Sequence, residues 1–248
     1  MLRYELEDYT GRLLEIDRFR DYCPNGLQVE GKNEIVKIAT GVSASLAFLE
    51  KAMDSGADAV FVHHGYFWKN EDPRINGIKK KRIELLLKSG MNLFAYHLPL
   101  DAHPELGNNA RLAQKLGFTV DCRFADQGVG MLGKTGNAVS ALELAGRIGD
   151  TLGRDALIVG NTSRQVKKIA WCSGAAQGYL LEAARLGADV YLSGEISEQT
   201  VHEAEESGIA YICAGHYATE RYGIQALGEH LAHAFGLAHE HIDTNNPV

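Results

Sequence analysis

VKIATGVSASLAFLEKAMDSGADAVFVHHG, residues Val36 to Gly65, reads as a strand-helix-strand unit, and the chain carries that layout twice. Ile35 to Val42 is apolar enough for a buried strand, and Ser43 is a good helix N-cap. Leu46, Leu49 and Met53 share a helical face, and Gly56 closes the helix before the apolar run Ala59 to Val62. Residues Lys167 to Ile196 (KKIAWCSGAAQGYLLEAARLGADVYLSGEI) repeat the pattern at an offset of 131, with Ile38/Ile169, Ala52/Ala183 and Gly56-Ala57-Asp58/Gly187-Ala188-Asp189 in register. An offset of 119 further on sets His97-Leu-Pro-Leu-Asp101 opposite His216-Tyr-Ala-Thr-Glu220. Strand-helix-strand repeats of this kind predict parallel strands.

The fold class expected is therefore α/β: internally duplicated units with mostly parallel central sheets and a metal site between the halves. The boundary is placed around residue 122, giving a first repeat over 1–122 and a second over 123–248. Met1 to Arg20 reads as an opening amphipathic helix, broken by the turn formers Pro24 and Asn25-Gly26. Helices are expected at Asn108 to Leu116, near Ser140 to Leu152 and at Gly223 to Ala234, and a strand near Ala156 to Val159.

With 25 Lys+Arg against 32 Asp+Glu, the net charge of −7 repels phosphate backbones and anionic membranes, so no nucleic-acid partner is expected. Lys79-Lys80-Lys81-Arg82 is a local exception that reads as the solvated start of a surface helix. Cys23, Cys122, Cys172 and Cys213 show no C-x-x-C spacing, there is no secretory leader pattern, and no apolar run approaches the ~20 residues of a membrane span. A cytoplasmic protein with reduced thiols is expected.

His63-His64 at the carboxyl end of a strand, followed by Gly65, stands where open α/β sheets collect ligands. Neighbouring strand residues face opposite ways, so both can serve one site only if the chain turns there. Pro99 argues against a regular helix between His97 and Asp101, making that spacing a loop arrangement in which Asp101 could also cap the next element. His216 and Glu220, at i and i+4, can share a helix face. Offset 131 sets Glu195 opposite His64, an acid exchanged for a histidine. This inventory exceeds what one ion needs, and two divalent ions account for it better. Gly128-Val-Gly130-Met-Leu-Gly133 satisfies G-x-G-x-x-G but has no strand before it or helix after it, and no P-loop is present. His230, His233, His239 and His241 read as solvated groups on a terminal helix and tail.

Pro24-Asn-Gly-Leu-Gln-Val-Glu-Gly31, Val62-His-His-Gly-Tyr-Phe-Trp68, His97 to Asn109, Ser193-Gly-Glu195 and Gly215 to Glu220 together resemble the bacterial YbgI-like family of GTP cyclohydrolase 1 type 2 homologs, nearly end to end. The resemblance implies a duplicated α/β fold, a two-metal centre between the halves, and a toroidal homohexamer, a trimer of dimers, with the centres facing an internal cavity. It implies His63, His64, Asp101, His216 and Glu220 as metal ligands, Glu220 bridging, and His97 and Glu195 beside the centre as orienting or proton-transfer groups. The ions are expected to be iron, zinc, manganese or similar. The expected activity is dinuclear-metal hydrolysis, such as ring opening of a nucleotide or related heterocycle. The alternative is non-catalytic metal storage, delivery or sensing, or a scaffold.

Overall fold

The computed structural model describes residues 1–248. In chain order the elements are α1 (Arg3–Leu13), β1 (Gly26–Val29), β2 (Lys37–Ser43), α2 (Leu46–Asp54), β3 (Ala59–His64), α3 (Gly77–Ser89), β4 (Asn92–Ala95), α4 (Leu98–Ala102) and α5 (Asn108–Leu116). These are followed by β5 (Thr119–Phe124), β6 (Gly130–Ser140), α6 (Ala141–Leu152), β7 (Leu157–Gly160), β8 (Gln165–Trp171), α7 (Leu180–Arg185) and β9 (Val190–Ser193). The last four are α8 (Glu198–Ser207), β10 (Ala210–Cys213), α9 (His216–Phe235) and β11 (Ala238–His241).

The chain forms two compact units, Met1–Gly107 with Gly223–Asn245, and Asn108–Tyr222 with Asn246–Val248. The first holds a five-stranded sheet in the order β1-β4-β3-β2-β11, and the second a six-stranded sheet in the order β5-β6-β8-β9-β10-β7. The class is α/β, and each sheet is centred on three parallel strands, β2-β3-β4 and β8-β9-β10. Antiparallel strands border both trios: β1 beside β4 in the first, β6 and β7 in the second. Phe48, Val60 and Leu86 anchor one core, and Leu144, Trp171 and Leu192 the other; all are buried. Burying side chains of this size stabilises each unit by about 1.5–3 kcal/mol apiece.

The duplication reaches individual hydrogen bonds. Asp58 Oδ2 accepts the N–H groups of Val36 and Lys37, and its Oδ1 meets Lys32 Nζ at 2.8 Å. Asp189, 131 residues later, accepts the N–H groups of Lys167 and Lys168 through Oδ2, while Oδ1 meets Arg164. Lys37 Nζ donates to Ser55 O at the end of α2, and Lys168 Nζ to Leu186 O at the end of α7. The shared Gly-Ala-Asp triplet thus serves to fasten the start of one parallel strand to the start of its neighbour. Burial raises the pKa of each carboxyl, but the donors outweigh it and hold both below the usual range. Asp189→Ala is expected to cost about 2 kcal/mol, because two backbone donors and a guanidinium lose a charged acceptor. On the depressed folded pKa, this contribution is present above the unfolded value near 3.8 and lost as pH falls through the folded value. Denaturation curves of wild type and variant should differ at neutral pH, and the difference should begin to shrink only as pH falls below about 4.

Four expectations change. Ser45, not Ser43, caps α2, accepting Phe48 N–H, and Ser43 is the last residue of β2. Residues 98–102 form a helix despite Pro99, because proline at the first helical positions forfeits no internal bond. His239 and His241 are half-buried rather than solvated: β11 adds to β2, and Thr40 Oγ1 bonds His239 Nε2 at 2.9 Å and His241 Nδ1 at 3.0 Å, while His233 is exposed as expected. His230 Nε2 likewise meets Tyr9 Oη at 2.7 Å. Finally, Ala59 pairs with Asn92 and its equivalent Val190 with Ala210, so the later strands correspond at 210 − 92 = 118, not 119. His97 therefore corresponds to Gly215, both directly preceding a helix, and not to His216. The Gly128 to Gly133 segment, expected to be turn-like with no strand before it, follows strand β5 and runs into strand β6. No helix is long and apolar enough to cross a membrane.

Candidate metal centre

In the first unit, the carboxyl ends of β3 and β4 bring His63, His64 and His97 together, with one ring nitrogen of each within 4.8 Å of the others. The His63 and His64 rings are 4.6 Å apart and tilted by 43°, so the consecutive pair does serve one side of the chain. His63 is fully buried. Its Nδ1 lies 3.0 Å from Tyr96 O, an acceptor only, which assigns the proton to Nδ1 and leaves the Nε2 lone pair 3.5 Å from Asp101 Oδ1. Asp101, on α4, is 6% exposed. His64 Nδ1 is 3.2 Å from Ser43 Oγ.

His97 is held from behind by Asp21, Oδ1 to Nδ1 at 2.7 Å. Asp21 Oδ2 accepts from Leu98 N–H and Asn25 Nδ2. Burial raises the Asp21 pKa, but the His97 bond and charge, then Asn25 and Leu98, hold it below the carboxylate norm. A carboxylate on Nδ1 fixes the tautomer and makes Nε2 a better donor. Cys23 also lies within reach of Asp21 and His97, but burial, then the Asp21 charge, push its thiol up to about 12. It stays a protonated thiol in the metal-free protein.

In the second unit, Gly215 ends the chain's run from β10, and His216 opens α9 with Glu220 one turn on. His216 Nε2 faces Glu220 Oε2 at 3.1 Å while its Nδ1 meets Glu195 Oε1 at 2.7 Å. Glu220 is 3% exposed. Burial lowers the His216 pKa, yet the bond and charge of Glu220, then of Glu195, outweigh it and carry the ring to about 9. The imidazole is thus cationic at neutral pH, its proton standing where a cation between ring and carboxylate would sit. Gly174 presses against this pair: a Cβ there would overlap Glu220 Oε1 and lie 3.2 Å from His216 Nε2.

The donor set fits a borderline divalent cation. Each of the four imidazoles has Nδ1 occupied by a carbonyl, hydroxyl or carboxylate, and imidazoles with buried carboxylates are ligands of iron, zinc and manganese alike, His216 once a cation displaces its Nε2 proton. Among the expected residues, His63, His64, Asp101 and His97 are brought together in the first unit, and Glu195, His216 and Glu220 in the second. Asp21, Ser43 and Gly174 were missed. Asp21 stands 76 residues from its histidine, and Gly174 acts through what it lacks, so neither leaves a local spacing signal. Asp21→Asn is expected to release the His97 ring from its fixed orientation and lower any metal-dependent turnover about 10–100-fold, while metal content, measured by competition with a chromogenic chelator, is kept.

Residues 1–247 match the Duf34/NIF3 (NGG1p interacting factor 3) family. A Pseudomonas aeruginosa protein named "GTP cyclohydrolase 1 type 2 homolog" is 48% identical over 246 residues, covering 98% of this chain and 97% of its own. The solved structure of protein ybgI, of unknown function, superposes with a TM-score of 0.97 at 48% identity over the full length of both chains. A Thermus thermophilus protein does so with a TM-score of 0.89 at 38% identity, again over both full lengths. The resemblance read from the motifs thus holds along the whole sequence, and the chain belongs to the Duf34/NIF3 family.

Proposed function

We propose that the chain is a dinuclear-metal hydrolase acting on a nucleotide or related heterocycle, with His63, His64, Asp101, His216 and Glu220 as ligands contributed by both units. The observation that carries this reading is the shared polarity of the histidines, whose Nδ1 atoms are spent on other partners. The names of the relatives, GTP cyclohydrolase 1 type 2 homologs, favour a ring-opening hydrolysis. Bound divalent ions would lower the pKa of water and polarise the carbon under attack. His97, its ring fixed by Asp21 through Nδ1, is positioned to take and return a proton through Nε2. Glu195 holds the His216 ring in orientation through Nδ1. We further propose assembly as a toroidal homohexamer, a trimer of dimers, which sedimentation analysis checks directly.

The test incubates metal-loaded protein with a panel of nucleotides, beside protein stripped by a chelator and protein reloaded with iron, zinc or manganese. Turnover that disappears on stripping and returns on reloading is expected. Turnover indifferent to stripping sinks the reading, and tight metal retention without turnover on any heterocycle leaves metal handling as the function.

A further inference from the structure

Two loops of the first unit carry aromatic side chains beside the histidine trio. Trp68 stands edge-on to His97, centroids 5.0 Å apart at 86°, and 5.9 Å from His64. Tyr22, 57% exposed, approaches His97 from the other loop at 6.4 Å. Phe67 is 37% exposed and sits beside Trp68 in sequence.

These loops are braced rather than loose. Lys69 N–H donates to Tyr22 O at 2.6 Å, tying one to the other. Trp68 N–H donates to Glu71 Oε2 at 3.1 Å, and Lys79 Nζ, from the first turn of α3, reaches Glu71 Oε1 at 3.2 Å and Asp72 O at 3.2 Å. The same ammonium lies 5.1 Å from the Phe67 ring centroid. The first lysine of the basic run is therefore consumed in fixing this loop, not left for a solvent anion. Phe67 (φ +65°) and Asn70 (φ +71°) adopt left-handed backbone, which costs non-glycine residues and persists only where the surroundings enforce it.

Loops tied together in this way, which leave Tyr22 exposed and Trp68 only half-buried beside a cluster of imidazoles, have no packing reason to do so, because rings of this size gain more by full burial. We propose that Tyr22 and Trp68 form a stacking platform that holds the planar ring of a purine-type substrate against the histidine cluster. The inference rests on the hydrolase reading and gives its substrate class a physical basis: recognition of a flat heteroaromatic ring through its π-face. Base stacking on aromatic side chains tolerates many ring systems, so the platform supplies affinity while groups nearer the histidines select the reaction.

Equilibrium dialysis of labelled guanosine and of ribose 5-phosphate against the full-length zinc-loaded protein tests this, with metal content measured on the same samples. Trp68→Leu and Tyr22→Leu are each expected to weaken guanosine binding at least tenfold with metal content unchanged, and Trp68→Phe to restore most of it. Ribose 5-phosphate, lacking the ring, should not distinguish the variants. Guanosine held equally by wild type and both leucine variants, or not held by wild type, overturns the platform. Tyr22 is exposed, so its variant remains informative even if Trp68→Leu misfolds. The two readings fail separately: protein that binds guanosine through Trp68 but takes up no metal refutes the metal centre alone, and metal-replete protein indifferent to guanosine refutes the platform alone.

Discussion

Glu220→Ala is expected to lose at least one metal ion per chain while its far-UV circular dichroism stays that of the wild type. Glu220 is the most enclosed carboxylate among the proposed ligands, 3% exposed, and it addresses His216 Nε2 at 3.1 Å. Removing it takes away both a donor and the charge that offsets a buried cation. The helix should survive for two reasons. Alanine is the best helix former, and His216, no longer held cationic by Glu220, can release its proton, so no uncompensated charge is left behind. Glu220→Gln should behave the same way, since it keeps the shape and loses the charge. Elemental analysis after dialysis is the measurement, and full occupancy in both variants would refute the assignment. Any metal-dependent turnover should fall by at least about 100-fold, the upper end of what losing even a supporting group costs a metal site.

The parts of this molecule that could be read from the sequence are those written as local periodicity. The repeat at offset 131 gave β2-α2-β3 and β8-α7-β9 their positions, because each strand pairs with its immediate successor and each helix covers the pair. The triplet Gly56-Ala57-Asp58 was visible, but its role was not, since Asp58 acts on backbone N–H groups of Val36 and Lys37, and backbone donors carry no residue signature. Long-range returns were hidden for a related reason. β11 looks like a polar tail because His239 and His241 spend their polarity on Thr40, a partner about 200 residues away. Of the site, the residue types that bind cations directly announced themselves by spacing. The groups that aim those residues did not: Asp21 orients His97 from a loop that its turn formers alone account for, and Ser43 reads as a helix cap while its hydroxyl faces His64.

Gly174→Ala should be as damaging to the His216–Glu220 pair of the second unit as losing one of its members, although glycine binds nothing. Gly174 has φ +69°, and a Cβ at that position would overlap Glu220 Oε1 while lying 3.1 Å from Glu220 Cδ and 3.2 Å from His216 Nε2. Two costs therefore add. The left-handed backbone alone penalises alanine by about 1–2 kcal/mol. The displacement of Glu220 is the larger matter, because its carboxylate is enclosed and can yield only by leaving its line with His216. Gly187→Ala separates the two. Gly187 has φ +78°, and its Cβ would meet nothing nearer than Lys168 Nζ at 3.8 Å, so it carries the backbone penalty without the collision. Both variants should melt a few degrees lower, about 2–4 °C per kcal/mol for a chain of this size. Only Gly174→Ala should also lose metal, and the pKa of His216, held near 9 by Glu220 and Glu195, should fall in the metal-free variant as seen by NMR titration of the ring. Equal metal content in the two variants would mean that the contact between Gly174 and Glu220 is incidental, and that the carboxylate reaches its ion from some other position.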